Sequence, residues 1–493
     1  MNYIARLRQF LFGEGGSLRQ KTVRSGFWVA LASVGVGSLA LLKSIVLARL
    51  LTPESFGLMA VCMVVMRAVQ VFTETGLNAA LIQRPGDVGA AKDTVYTLTA
   101  LRGLVLTLVV VLASPFVAEF YERPSIEPLL QVLAVSLAIS GLNNIHGVLL
   151  QKELNFRPLY RTQQVLAILD FVVAVTLAYW WRNVWALVVG SVVSTAIGVA
   201  LSFLLLPGRP RFAWDGKLAK ELFSYGKFLT GTSIVVYVTT EIDNVVIGKV
   251  LGMEALGLYV LAYMLANLPA THLGKAVAQI VFPLYSKLQF DRSALHSAYL
   301  HSTQVVATVA LPAAVGLAVF ATEIVQVVYG PKWLEAAPVI PILCLFGAMR
   351  AVSSINGYVF NAIARPDLPF YLNFGKLLVI GVLIVPATRH YGVTGAALAV
   401  TIPSMIQLPI GYAILGRIVG LPVRRILAAI LPSALPSFAM GLALLLLERW
   451  HAPDTAVTLL LAIAGGMLLY GALAWPQIRL VFSLVTGRRG RTP

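Results

Sequence analysis

Eleven charged side chains stand inside long apolar segments of this sequence, and these are the residues placed to do chemistry. They are Lys43, Arg67, Glu74, Arg102 and Asp170 in the first half, and Glu241, Asp243, Lys275, Glu323, Arg350 and Lys376 in the second. A charge at bilayer depth is costly unless a partner or water meets it, so each marks an internal ion pair or a solute path. Arg67, Arg102, Arg350 and Lys376 lie about eight to fourteen residues inside their segments, too deep for all of them to reach the headgroups. Guanidinium forks pair bidentately with phosphate and carboxylate, so a hydrated cavity holding these groups suits a diphosphate or an acidic sugar. With Lys43 they form the candidate substrate-binding set. The competing explanation is internal pairing, for example of Lys43 with Asp243, which stand at matching depth in the two halves.

The carboxylates Asp170, Glu241 and Asp243 are candidates for ion coupling, because a buried acid can take up a proton or hold a cation as access alternates. Glu241 and Asp243 are two residues apart, so an ideal helix sends them to different faces. Asp243 is the preferred one of the two. Glu323 is expected near the outer end of its segment and Glu74 near the inner end of its own, where water reaches them. No catalytic residue and no metal ligand is assigned. The six histidines have no ligand spacing, and Cys62 and Cys344 sit within apolar segments as packing residues.

The elements that position these charges are membrane spans. The 493 residues are 58% hydrophobic and 12% charged, with mean hydropathy +0.83, where a soluble domain carries about a quarter charged residues. Apolar runs of roughly 20 residues recur along the chain, giving about fourteen expected spans between 26–48 and 455–476. An even number puts both termini on one side. Of the 38 Lys and Arg residues, 25 fall in the termini and even-numbered loops and 7 in the odd-numbered loops. The positive-inside rule then makes both termini cytoplasmic. The net charge of +17 is thus a topology signal rather than a nucleic-acid footprint.

The segment Val46 to Leu58 (VLARLLTPESFGL) aligns without a gap with Val246 to Leu258 (VIGKVLGMEALGL), a shift of 200 residues. Such self-similarity implies two parallel halves. The expected division is a cytoplasmic amphipathic N-terminus at 1–25, an N-lobe of six helices at 26–206 and a basic cytoplasmic linker at 207–224. A C-lobe of six helices at 225–416, a cytoplasmic loop at 417–425, two further helices at 426–476 and a basic tail at 477–493 complete it. Proline recurs within the spans, as at Pro269, Pro283, Pro312, Pro403 and Pro409, and permits bends. There is no phosphate-binding loop, no nucleophile elbow and no long outer loop to house a catalytic domain, which points away from an enzyme and toward a secondary transporter.

The chain resembles the multidrug/oligosaccharidyl-lipid/polysaccharide superfamily, and within it the colanic-acid-exporter type of polysaccharide transporter. The resemblance is carried by VLARLLTPESFGLMAV (Val46 to Val61), GLNAALIQR (Gly76 to Arg84), LLQKELNF (Leu149 to Phe156) and IDNVVIGKVLG (Ile242 to Gly252). VFPLYSKLQ (Val281 to Gln289) and VVYGPKWLEAAPVIPIL (Val327 to Leu343) continue it in order. It implies an all-α polytopic fold, with two six-helix lobes in a V-shaped arrangement and two C-terminal helices. It also implies alternating access that passes an undecaprenyl-diphosphate-linked oligosaccharide across a bacterial inner membrane for surface or extracellular polysaccharide. The expected partners are that lipid-linked sugar, membrane lipids, and the polymerase and export machinery. No cofactor is expected beyond H+ or Na+ coupling. A multidrug or small-solute exporter of the same superfamily, and a membrane glycosyltransferase or polymerase, are the alternatives.

Overall fold

A computed structural model describes residues 35–73, 76–77, 81–82, 89–153, 155–450 and 453–479. The expected amphipathic N-terminus, Glu74 and most of the basic tail lie outside them, as does the side chain of Lys275. Among the described residues the structure is helical, with no strand. A backbone in lipid must satisfy its hydrogen bonds internally, and helices do so.

The helices are α1 (35–50), α2 (Pro53–Phe72), α3 (Gly89–Phe120), α4 (Ile126–Gly141), α5 (His146–Lys152), α6 (Phe156–Trp181) and α7 (Trp185–Leu205). Then follow α8 (Gly216–Val250), α9 (Met253–Leu288), α10 (Arg292–Val319), α11 (Ile340–Ala362), α12 (Asp367–Val419), α13 (Val423–Trp450) and α14 (Ala456–Leu473). Ten of the described helices are long and apolar enough to cross a membrane, or eleven if α4 and α5, bent by 57°, form one span. The expected number of about fourteen is not reached by this measure. One reason is α12, whose 53 residues count once although Gly392 interrupts the helical backbone with φ 60° and ψ −141°. That conformation is open essentially to glycine alone. The interruption falls at this glycine rather than at Pro386, Pro403 or Pro409 of the same helix.

The chain divides into two compact units, Met1–Tyr237 and Val238–Pro493, so the boundary lies inside α8 and beyond the basic 207–224 segment. The sequence repeat falls on the same local structure in both units. In the first, α1 ends at residue 50 and α2 begins at Pro53; in the second, α8 ends at Val250 and α9 begins at Met253. Thr52 caps α2, its hydroxyl accepting from Ser55 N at 3.3 Å with Pro53 in the first turn. Gly252, with φ 90°, takes the equivalent place before α9.

In the first unit, α3 and α4 cross at a pair of glycines. A Cβ at Gly103 would stand 2.6 Å from Leu137 O, and one at Gly141 would stand 2.7 Å from Thr99 O. Small residues at such a crossing let backbones approach where lipid supplies no hydrophobic drive. Thr107 Oγ1 donates across the crossing to Ala134 O at 2.9 Å. In the second unit the core gathers Tyr285, Tyr299, Ile355, Phe360 and Tyr412, and Tyr299 Oη donates to Asn356 Oδ1 at 2.6 Å. The segment Pro331–Val339 is a 3-10 helix that buries Trp333 completely and leads into α11. Both cysteines are free and buried.

Candidate functional site

The intramembrane charges gather into separate polar groups within each unit. In the first unit Lys43 Nζ on α1 lies 2.6 Å from Asp170 Oδ2 on α6, and Ser194 Oγ on α7 donates to Asp170 Oδ1 at 2.7 Å. The internal pair is therefore Lys43 with Asp170, in place of the pairing of Lys43 with Asp243. Sequence register could not show this, because the partner comes from a helix more than a hundred residues away.

Arg102 on α3 reaches the C-terminal end of α2. Its Nη2 donates to Gln70 O at 2.7 Å, and Nε and Nη2 donate to Thr73 Oγ1 at 3.3 and 3.2 Å. A helix end carries carbonyls without intrahelical partners and a partial negative charge, and a guanidinium answers both. Arg102 also borders a cavity of about 250 Å³ lined by Thr99, Ser140, Asn143 and Gln70 among others. Arg67 is exposed on α2. One turn earlier, Val64 O accepts from Tyr237 Oη at 2.6 Å.

In the second unit α9 presents Tyr259, Tyr263 and Asn267 at intervals of four, on one helical face. Arg350 Nη1 on α11 donates to Tyr263 Oη at 3.2 Å and to Asn267 Oδ1 at 3.4 Å. Gly347 makes this possible, since a Cβ there would stand 2.7 Å from Ala266 O. The close approach of α11 to α9 sets Arg350, one turn further on, over the tyrosine and the amide. Lys376 Nζ on α12 lies 4.9 Å from the centroid of Phe346, in cation–π geometry. The Phe346 ring packs on Tyr263 at 6.0 Å, and Tyr263 packs on Tyr259 at 6.1 Å. Tyr259 Oη, fully buried, donates to Asp243 Oδ2 at 2.6 Å. A continuous run of rings thus links the carboxylate to both cations.

Glu241 and Asp243 are both buried, at 8% and 2% exposure. They use different partners, Glu241 Oε2 accepting from Asn244 Nδ2 at 2.8 Å and Asp243 from Tyr259. Glu323 differs from expectation. It is 8% exposed rather than open to water, with Glu448 of α13 beside it, and its Oε2 has no hydrogen-bond partner among the described residues. The tyrosines 259 and 263, Asn267 and Phe346 were missed from sequence. The i, i+4, i+8 polar stripe on α9 was the available signal.

This helical architecture is shared with solved membrane carriers. It is similar to the lipid II flippase MurJ in an inward closed conformation, with TM-score 0.74 and 16% identity over 93% of this chain and 99% of that one. It is also similar to an inward-facing multidrug resistance MATE family transporter of the MOP superfamily, with TM-score 0.56 and 16% identity over 86% of this chain and 98% of that one. At these identities the likeness is one of fold.

The sequence model of the family described as polysaccharide biosynthesis protein matches residues 46–338, and the chain belongs to that family. Among its relatives, teichuronic acid biosynthesis protein TuaB of Bacillus subtilis is 28% identical over 418 residues, 83% of this chain and 86% of that protein. Lipopolysaccharide biosynthesis protein WzxC of Escherichia coli is 27% identical over 438 residues, 87% and 89% of the two chains. Succinoglycan biosynthesis transport protein ExoT of Rhizobium meliloti is 27% identical over 332 residues, 67% of each.

Proposed function

We propose that this multi-pass membrane protein is a flippase. It carries an undecaprenyl-diphosphate-linked oligosaccharide from the inner to the outer leaflet of a bacterial cytoplasmic membrane by alternating access, for surface or extracellular polysaccharide. Membership of the polysaccharide biosynthesis family, together with a flippase-like fold, supports this. The observation that carries it is the Arg350 group: a guanidinium and the Lys376 ammonium held on a tyrosine, an amide and a phenyl ring, with no carboxylate pair among the described residues. Cations anchored on neutral groups keep their charge available for an anionic headgroup. In the first unit Arg67, Arg102 and Lys43 are further members of the substrate-binding set, Lys43 on opening of its pair with Asp170.

Asp243 is the ion-coupling group, with Asp170 and Glu241 as further members of the set. Coupling to H+ or Na+ drives the cycle. Both termini are cytoplasmic, following the basic inner loops, and the polymerase and export machinery act on the delivered product.

A deletion strain supplies the test. The expected result is loss of surface polysaccharide, with lipid-linked oligosaccharide of normal chain length accumulating in the inner leaflet. Altered chain length at normal sidedness would mark a transferase or polymerase instead. Intact polysaccharide with lost drug resistance would mark a multidrug exporter.

A further inference from the structure

Where α13 and α14 pack on α10, the second unit carries an apolar groove of about 520 Å³. It follows α10 from Thr308 to Phe320, a rise of about 18 Å at ~1.5 Å per residue. Phe320, Met440, Leu444 and Tyr470 form a buried floor. At the rims Val309 and Met467 are 43% and 67% exposed, so the groove opens toward the surrounding hydrocarbon. Gly316 gives it depth, since a Cβ there would meet no neighbouring atom within 4 Å. The few polar groups inside are already occupied. Tyr470 Oη donates to Thr308 O at 2.9 Å, and Thr308 Oγ1 donates to Gln304 O at 2.7 Å. The groove thus asks for an elongated apolar chain that brings no hydrogen bonds of its own.

One end of the groove is acidic. Met440, Leu444 and Glu448 follow at intervals of four on α13, so Glu448 continues the face that floors the groove. Glu323 stands between Phe320 and Ile324, both of which line it. The two carboxyl groups lie side by side, Glu323 at 8% exposure with its Oε2 unpartnered and Glu448 partly exposed. Neither forms an ion pair with Lys or Arg among the described residues. Adjacent carboxylates without a cation lack both a counter-charge and a hydrogen-bond donor, which is costly away from water. Trp450, two residues beyond Glu448 and 90% exposed, marks the headgroup level at which tryptophans gather.

We propose that this groove binds a phospholipid with a primary ammonium headgroup, one acyl chain lying along α10 and the ammonium resting on Glu448 and Glu323. Such a headgroup supplies a positive charge and N–H donors together, which are the two things the carboxylates lack. A trimethylammonium head brings the charge without the donors. A phosphoglycerol head, or a polyprenyl phosphate, brings negative charge to an acidic rim. Arg449, exposed and next in sequence to Glu448, supplies the counter-charge for the lipid phosphate. The volume lies within the ~300–1,000 Å³ usual for ligand sites. This lipid is a resident of the fold rather than its cargo, so the inference goes beyond the flippase reading and does not rest on the solute transported.

Native mass spectrometry of the purified full chain tests it, with dioleoyl phosphatidylethanolamine, phosphatidylcholine and phosphatidylglycerol and with undecaprenyl phosphate added in equal amounts. Phosphatidylethanolamine is expected to be retained about tenfold more than the other three. Glu448→Gln should lower its retention to that of phosphatidylcholine. Gly316→Leu, which fills the groove and leaves the acids in place, should abolish it. If either variant folds poorly, the ranking of the four lipids on the unaltered chain still decides. Equal retention of phosphatidylethanolamine and phosphatidylcholine overturns the site, as does stronger retention of phosphatidylglycerol or undecaprenyl phosphate. So does phosphatidylethanolamine retention unchanged in Glu448→Gln. The transport reading fails on different grounds, through a deletion strain that still makes surface polysaccharide.

Discussion

Lys43 Nζ stands 2.6 Å from Asp170 Oδ2, and this pair ties α1 to α6 while Ser194 on α7 holds the other carboxylate oxygen. Both side chains are 29% exposed. Breaking the pair should therefore cost more than the ~1 kcal/mol typical of surface pairs and less than the ~3–5 kcal/mol of fully buried ones. Asp170→Asn should lower the thermal midpoint of the purified protein. Combining it with Lys43→Met should restore the midpoint but not polysaccharide export, because the charges are needed for the cycle. Full export from the double variant would show the pair to be a structural clasp alone.

The two arginines should respond differently to truncation. Arg102 closes the end of α2 through Gln70 O at 2.7 Å, and charged hydrogen bonds of this kind contribute about 1.5–3 kcal/mol. Arg102→Ala should reduce both abundance and export. Arg350, bonded at 3.2 and 3.4 Å, should lose export on substitution by Ala with abundance unchanged. Lys at either position should retain part of the activity, since it keeps the charge and loses the fork. Immunoblots beside polysaccharide quantification separate the two effects, and wild-type export from Arg350→Ala would remove that residue from the substrate path.

Asp243, reached by the Tyr259 hydroxyl at 2.6 Å, should govern ion dependence. With Asp243→Asn, flipping in proteoliposomes should no longer respond to an imposed H+ or Na+ gradient, while binding of the lipid-linked substrate persists. Tyr259→Phe should leave the buried carboxylate one donor short and destabilise the second unit by about 1–3 kcal/mol. A gradient response unaltered in Asp243→Asn would move coupling to Asp170 or Glu241.

Gly347 and Gly357 lie on the same helix and form a matched pair. A Cβ at Gly347 would collide with Ala266 O at 2.7 Å, whereas one at Gly357 would meet nothing within 4 Å. Gly347→Ala should force α11 from α9, lower stability by roughly 1–3 kcal/mol and reduce export by displacing Arg350 from Tyr263. Gly357→Ala should be neutral or slightly stabilising, because alanine is the better helix former. Equal thermal midpoints for the two variants would contradict the close packing at Gly347.

Much of this architecture was legible along the chain because it depends on local composition. The 200-residue repeat identified two halves, and each copy falls on a helix end, a two-residue turn and a new helix start. The turn chemistry is readable too, as Thr52–Pro53 in one copy and Gly252 in the other. The partners of the charges were not legible. Lys43 and Asp243 share a repeat register, but register records position within an element and not which helix packs against it. Asp170 and Tyr259 were selected by helix packing, and the Arg350 site depends on a glycine whose role appears only when α9 lies against it.

Hydropathy, charge bias and the repeat, taken alone, determined that this chain is a helical membrane protein with internal duplication, because insertion in a bilayer acts on each apolar segment separately. Tertiary structure alone decided that Lys43 is clasped by Asp170, that Arg102 borders a cavity at a helix break, and that Arg350 rests on Tyr263 and Asn267. Each of these contacts joins residues far apart in the chain. Their energies arise from distance and desolvation, which exist only once the helices have packed.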